Sequence, residues 1–344
     1  MLELAIIADD LTGALDAAAP FAMRGITTRA ALDMEGFNQA LSSQPRVIAI
    51  STDSREISPE RAQSRVADVI AALPAGIKLF KKVDSRLKGN IEAELSAIPH
   101  VRSVLLPAIP DFGRVVENGC VTGFGVATPI SIAQVLGSHA TRATIPDTAS
   151  QEDIEAALTD DYDLLIGARG LANALAKTMS KTAPRAPEYP LHPAYVVIGS
   201  TDPITLAQVE HLRSTYSDLT YIGAPNGEAH PCGPAERPLT ILQATPGAVH
   251  ATGPEVAAAL ATSLGGLALN QNALLVLSGG ATAQTILQGL GLHALELIGE
   301  ALPGLPISRA DGLTVVSKSG GFGDTDALVR LLSPSAYGVS SFHV

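Results

Sequence analysis

The chain has 344 residues, 46% of them hydrophobic and 17% charged, with 23 Lys and Arg against 34 Asp and Glu for a formal net charge of -11. The length exceeds what one hydrophobic core usually organises, so two domains are expected, and the apolar share excludes extended disorder. An acidic chain without a basic stripe excludes nucleic acid as a partner.

Aromatic residues make up 4% of the chain and Trp is absent, so the cores must rest on Ala, Leu, Val and Ile, which suit parallel strands covered on both faces. The two cysteines, Cys120 and Cys232, lie far apart and form no CxxC or zinc-ligand pattern, which predicts reduced thiols and no protein-bound metal. No basic n-region opens the chain, and no apolar run has the length of a membrane helix. A cytoplasmic protein with no membrane partner is therefore expected.

In chain order, an apolar run over 4–8 predicts a buried strand, and Leu11, Leu15, Ala18, Ala19 and Ala22 then recur at helical spacing until Gly25. Further strands are predicted over 47–51, 78–83, 104–107 and 164–166, with helices over 59–73, capped by Ser58, and from Ile91. Residues 186–193 carry Pro187, Pro190 and Pro193 without periodicity, which predicts a linker between a domain over 1–185 and a second over 194–344. Past it, strands are expected over 195–198, 220–222, 273–277 and 314–317. Helices are expected over 205–215 and from residues 253, 282 and about 324, with a Gly- and Pro-rich loop over 223–238. Such alternation implies two α/β domains, each a mostly parallel sheet flanked by helices.

Ligands of open α/β sheets bind beyond the carboxyl ends of the strands, so the residues that follow each strand carry the functional reading. The first strand runs into Asp9 and Asp10. Adjacent carboxylates repel each other unless a cation or ligand meets them. One should cap the next helix, which leaves the other for function; Asp16 is expected to be solvated. The strand over 78–83 runs into Asp84-Ser85-Arg86-Leu87-Lys88-Gly89. That loop offers a proton acceptor and cations that could hold a carboxylate, and Arg114 could add another. Lys81 and Lys82 belong to the same cationic cluster.

In the second half three strands run into small residues: Gly199-Ser200, Gly279-Gly280-Ala281-Thr282, and Lys318-Ser319-Gly320-Gly321. Glycines let backbone approach phosphate oxygens, and a following helix N-terminus favours negative charge. None fits GxxxxGK[ST] or GxGxxG, so neither a P-loop nor a dinucleotide fingerprint is present.

The chain resembles the four-carbon acid sugar kinase family. The resemblance rests on IIADDLTGALDAAAPFAMRG at 6–25 and KKVDSRLKGNIEAEL at 81–95, supported by PAIPDFGR at 107–114, GARGLANALA at 167–176 and VVIGS at 196–200. SGGATA at 278–283 and KSGGFGDTDAL at 318–328 complete it. Departures from the family pattern fall at Arg86 and Lys88, at Thr201-Asp202-Pro203, and at Ala281, where an acid is usual.

The resemblance implies an N-terminal sugar-acid domain, a C-terminal ATP domain, and a ligand site in the cleft between them. It puts Asp10, Asp84, Ser85, Arg86 and Lys88 in the substrate site, to which the reading of the loops adds Asp9 and Arg114. Ser200, Gly279, Gly280, Ala281, Thr282, Gly320 and Gly321 would touch ATP, and Mg²⁺ would bridge its phosphates. Asp84 or Asp10 would deprotonate the terminal hydroxyl, with Asp84 preferred because it lies within the cationic loop. A homodimer is the common state for such enzymes. The alternative is a sugar-acid or nucleotide sensor without kinase activity, to which Ala281 points.

Overall fold

The computed structural model describes residues 1–230 and 237–333; Cys232 lies outside them, and Cys120 is a half-buried free thiol. The chain divides into two compact units: Met1–Arg185 with His293–Leu297, and Ala186–Leu292 with Ile298–Val344.

The first unit is built on a parallel sheet in the order Ala143–Thr144, Ser103–Leu106, Leu164–Gly167, Lys78–Lys82, Leu4–Ala8, Val47–Ser51, Thr28–Ala31. Ala294, Leu295 and Glu296 add an antiparallel pairing to the Thr28–Ala31 edge. Every residue of Leu4–Ala8 and of Val47–Ser51 is buried, as expected for central strands covered on both faces. Fully burying Ile6 or Ile7 stabilises the unit by roughly 1.5–3 kcal/mol each. Helices Leu11–Met23 and Pro59–Ala72 start at Asp10 and Ser58, whose side chains accept from Gly13 and Arg61 backbone N–H groups. A small antiparallel sheet of Arg114–Glu117, Cys120–Gly123 and Ile130–Ser131 follows the strand Ser103–Leu106.

The second unit orders its strands Leu219–Pro225, Leu239–Thr245, Ala194–Ile198, Leu274–Ser278, Leu313–Lys318 in parallel, with Leu305–Ala310 antiparallel beside Leu313–Lys318. Its core holds Val196, Ile198, Ile241, Val276, Ile307, Val316 and Leu328. Residues 181–193 contain no helix or strand. Within the second unit Tyr189 is tied down, its hydroxyl donating to the Leu331 carbonyl at 3.0 Å, and burial pushes its phenol up to about 12. No described helix is long and apolar enough to cross a membrane.

Candidate active site

Strand register sets the first cluster. Ala8 pairs with Ser51 on one side and Lys82 on the other, so the loops after three neighbouring strands begin level with one another. The repulsion between Asp9 and Asp10 is resolved by a residue from the second of those loops, Arg55. Its Nε donates to Asp9 Oδ2 at 2.8 Å, its Nη2 to Asp9 Oδ1 at 2.9 Å, and its Nη1 to Asp10 Oδ2 at 2.7 Å. Asp9 is 2% exposed. Burial alone would raise its carboxyl, but the Arg55 fork, with Lys81 and Lys82 nearby, holds it below the usual carboxylate range. The Arg55 guanidinium is half-buried, yet Asp9, Asp10 and Asp84 keep it above its ordinary value.

Asp10 is the helix cap: Oδ1 accepts the Gly13 N–H at 2.7 Å and Oδ2 the Thr12 hydroxyl at 2.8 Å. Asp16, expected to be solvated, instead pairs with Arg169 Nη1 at 2.9 Å, because helix Arg169–Met179 packs against its own helix. Lys81 is fully buried and paired with Glu94 at 3.0 Å, and Glu94 also accepts from the Ser54 hydroxyl.

The loop after Lys82 folds as a tight turn, with the Leu87 N–H donating to the Asp84 carbonyl at 2.8 Å and the Arg86 N–H to Asp84 Oδ1 at 2.9 Å. Leu87 takes φ +55°, a left-handed conformation that costs a non-glycine residue on the order of 1 kcal/mol; burial of its side chain holds it there. Asn90 ties the turn to its neighbour by donating to the Ser54 and Ile57 carbonyls at 2.8 and 2.9 Å. Ser85 is buried and accepts from Arg114 Nη1, whose Nε and Nη2 reach the Phe124 carbonyl at 3.1 and 2.8 Å. Burial and the charge of Arg86 push the Arg114 guanidinium below its ordinary value, against Asp84. Arg86 and Lys88 are exposed. The expected residues Asp9, Asp10, Asp84, Ser85, Arg86 and Arg114 therefore do come together, with Lys88 on the same loop.

The second cluster follows the same logic. Ile198 is level with Ser278, and Ser278 with Lys318, so three small-residue loops leave the sheet side by side. Gly279 takes φ +107°, which a side chain would strain, and helix Gly280–Gly289 starts there without a side-chain cap. A Cβ on Gly320 would lie 2.4 Å from Ser200 Oγ, and one on Gly321 would lie 3.0 Å from Asp202 Oδ2. A Cβ on Gly199 would strike Thr282 Oγ1 at 2.0 Å. Ser200, Gly279, Gly280, Thr282, Gly320 and Gly321 thus form one cradle rimmed by backbone, and Ala281 is exposed at the helix start. Its uncapped N–H groups suit a phosphate chain.

Two residues beneath this cradle escaped the sequence reading of the site. Lys318 is 0% exposed and donates to Thr205 Oγ1 at 3.0 Å, Ser319 O at 3.1 Å and Gly320 O at 2.9 Å. Burial pushes its ammonium down to about 8, against the attraction of Asp202. Gln208 Nε2 donates to the Phe322, Gly323 and Asp324 carbonyls at 3.0, 3.0 and 2.8 Å, fixing the rest of the loop. Arg55 escaped as well, although it follows the strand beside Leu4–Ala8.

Comparison with known proteins converges on the same division of labour. Residues 4–135 match the family described as a sugar-binding N-terminal domain, and residues 232–328 that described as a nucleotide-binding C-terminal domain. The D-threonate kinase of Cupriavidus necator is 30% identical over 94% of this chain and 95% of its own. The 3-oxo-tetronate kinase of Methylobacterium radiotolerans is 26% identical over 97% and 100%. A solved structure from Salmonella typhimurium shares the fold with a TM-score of 0.73 at 22% identity, over 96% of this chain and 98% of that one. The chain belongs to the four-carbon acid sugar kinase family.

Proposed function

We propose that the protein transfers the γ-phosphoryl group of ATP to the terminal hydroxyl of a four-carbon sugar acid of the threonate, erythronate or 3-oxo-tetronate class. The observation that carries this reading is the pair of clusters: carboxylates and cations in the unit that matches a sugar-binding domain, and a backbone-rimmed cradle in the unit that matches a nucleotide-binding domain. Relatives named as D-threonate, D-erythronate and 3-oxo-tetronate kinases support the substrate class. Dependence on ATP fits action in the cytoplasm.

Phosphoryl transfer calls for positioning, neutralisation of charge and removal of one proton. The substrate hydroxyl oxygen bonds to the γ-phosphorus as the bond to the β–γ bridging oxygen breaks, ADP leaves, and the hydroxyl proton passes to a carboxylate. Asp84 suits that role better than Asp10. Asp10 already accepts from Gly13, Thr12 and Arg55, whereas among the described residues the Asp84 carboxylate accepts from the Arg86 N–H alone. Arg86 and Lys88, with Arg114 behind them, supply a positive rim that draws in an acid.

The uncapped start of helix Gly280–Gly289 and the Ser200 and Gly320 loops hold the ATP phosphates. Mg²⁺ would supply neutralisation of the phosphate charge, and Asp202, whose carboxylate lies against Gly321, is the residue that would help hold it. Ala281 does not favour the sensor reading, because this cradle works through backbone N–H groups, which an alanine keeps. The test is product identity: incubation with Mg-ATP and each acid, followed by phosphorus NMR. A phosphomonoester on the terminal carbon is expected; inorganic phosphate alone would overturn the reading.

A further inference from the structure

The cations of the first cluster differ in how much of their donor capacity is already used. Arg55 is committed to Asp9 and Asp10, Lys81 to Glu94, and Arg114 to Ser85 and the Phe124 carbonyl. Arg86 and Lys88 are exposed and can attract an anion, but solvent competes for it. Lys82 stands apart. It is 5% exposed, and its ammonium makes one hydrogen bond among the described residues, to the Val83 carbonyl at 3.0 Å. None of the described carboxylates lies within ion-pair distance of it, and an ammonium has three donors. A buried cation with donors to spare is costly unless an anion completes its shell.

Its surroundings place it at the edge of the sheet from which the cluster's loops leave. A Cβ placed on Gly13 would lie 3.3 Å from Lys82 Nζ and 2.6 Å from Asp10 Oδ1. With no room there even for a methyl group, Gly13 is what lets the ammonium and the capping carboxylate both lie close to the first turn of helix Leu11–Met23. Lys82 is also the last residue of its strand, level with Ala8, at the carboxyl edge where Asp84 and Asp10 stand. Asp10 is already held by its own donors, so the spare donors of Lys82 remain for a ligand.

We infer that Lys82 is the fixed ligand of the substrate carboxylate and the residue that selects four-carbon acids over neutral four-carbon polyols. The exposed Arg86 and Lys88 draw the acid in; Lys82 holds it in a desolvated position, where one charged contact discriminates strongly. The assignment rests on the sugar-acid reading of this cluster and names the group that recognises the acid.

The test is calorimetric binding of D-threonate and D-erythronate to the full chain without ATP, beside the neutral threitol and erythritol, for wild type, Lys82→Met and Lys82→Gln. Both variants are expected to bind the acid about 30-fold more weakly while their affinity for the polyol changes less than about threefold, so that discrimination collapses. The thermal shift on adding Mg-ATP is expected to survive, which reports a folded chain. An unchanged ratio of acid to polyol affinity, or equal loss of both, would overturn the assignment, and so would loss of the ATP shift, because Lys82 would then be a packing residue. Because the readout is binding, a chain that binds acids through Lys82 yet yields no phosphorylated product would refute the kinase reading and leave this one standing.

Discussion

Arg55 grips Asp9 through two parallel hydrogen bonds, Nε to Oδ2 at 2.8 Å and Nη2 to Oδ1 at 2.9 Å, and spans to Asp10 with its third nitrogen. The fork lets two consecutive carboxylates leave a buried strand together. It also offsets half of the charge of that carboxylate pair, beside the loop that carries Asp84, Arg86 and Lys88.

Arg55→Met should therefore destabilise the first unit by about 3–5 kcal/mol, because it strands a buried carboxylate. Arg55→Lys should recover only part of the loss, since an ammonium cannot make the bidentate contact. Urea unfolding followed by circular dichroism measures both.

Acid should act through the same pair. The Asp9 carboxyl is held below its unfolded value, so the stability it contributes is complete above an unfolded pKa of about 4 and is lost as pH falls through the folded one. The unfolding midpoint of the wild type should drop more steeply than that of Asp9→Asn as pH falls below about 4.

Gly320→Ala puts a methyl group against Ser200 Oγ, inside the ordinary contact distance. ATP affinity should fall at least about tenfold, while affinity for the sugar acid should stay within about twofold. Equilibrium binding of each ligand separately checks the division between the two units.

Lys318 couples the same cradle to pH. Its folded value of about 8 lies below the usual value for a lysine, so the unfolded chain binds more protons across that window and stability rises from about pH 8 towards pH 10. The ammonium is also what braces Gly320 and Ser319, so ATP affinity should fall over the same range. Lys318→Met should bind ATP weakly at every pH, with no such dependence. Titrating ATP affinity from pH 7 to pH 9.5 separates the two proteins.

Asp84→Asn should lower kcat by about 10²–10⁴ with little change in KM for the acid, the signature of a lost proton acceptor. Asp10→Asn should change kcat less and the thermal midpoint more, because Asp10 caps a helix and accepts from Arg55. Steady-state kinetics at saturating Mg-ATP distinguish them.

Much of this arrangement was legible in the amino-acid order. The strands Leu4–Ala8 and Val47–Ser51 show as unbroken apolar runs, and the loops that leave them and their neighbours bear the polar and small residues that cluster in space. What could not be read were partnerships made across the sheet. Arg55, Glu94 and Gln208 look like surface residues in sequence, because burial of a charge or an amide becomes affordable only once its distant partner is in place. Asp16 misled for the same reason, its partner Arg169 lying on a helix far along the chain. The strands Leu239–Thr245 and Leu305–Ala310 escaped because short runs broken by Thr, Gln, Pro and Ser give little periodic signal.

The most direct test of the central claim is a coupled ADP-release assay with Mg-ATP against D-threonate, D-erythronate, their L-enantiomers and the 3-oxo acid. The account predicts that one acid raises ADP release far above the rate with ATP alone, and that the neutral tetritols do not. ADP release no faster with any acid than without, from a protein that binds both ATP and acid, would contradict it.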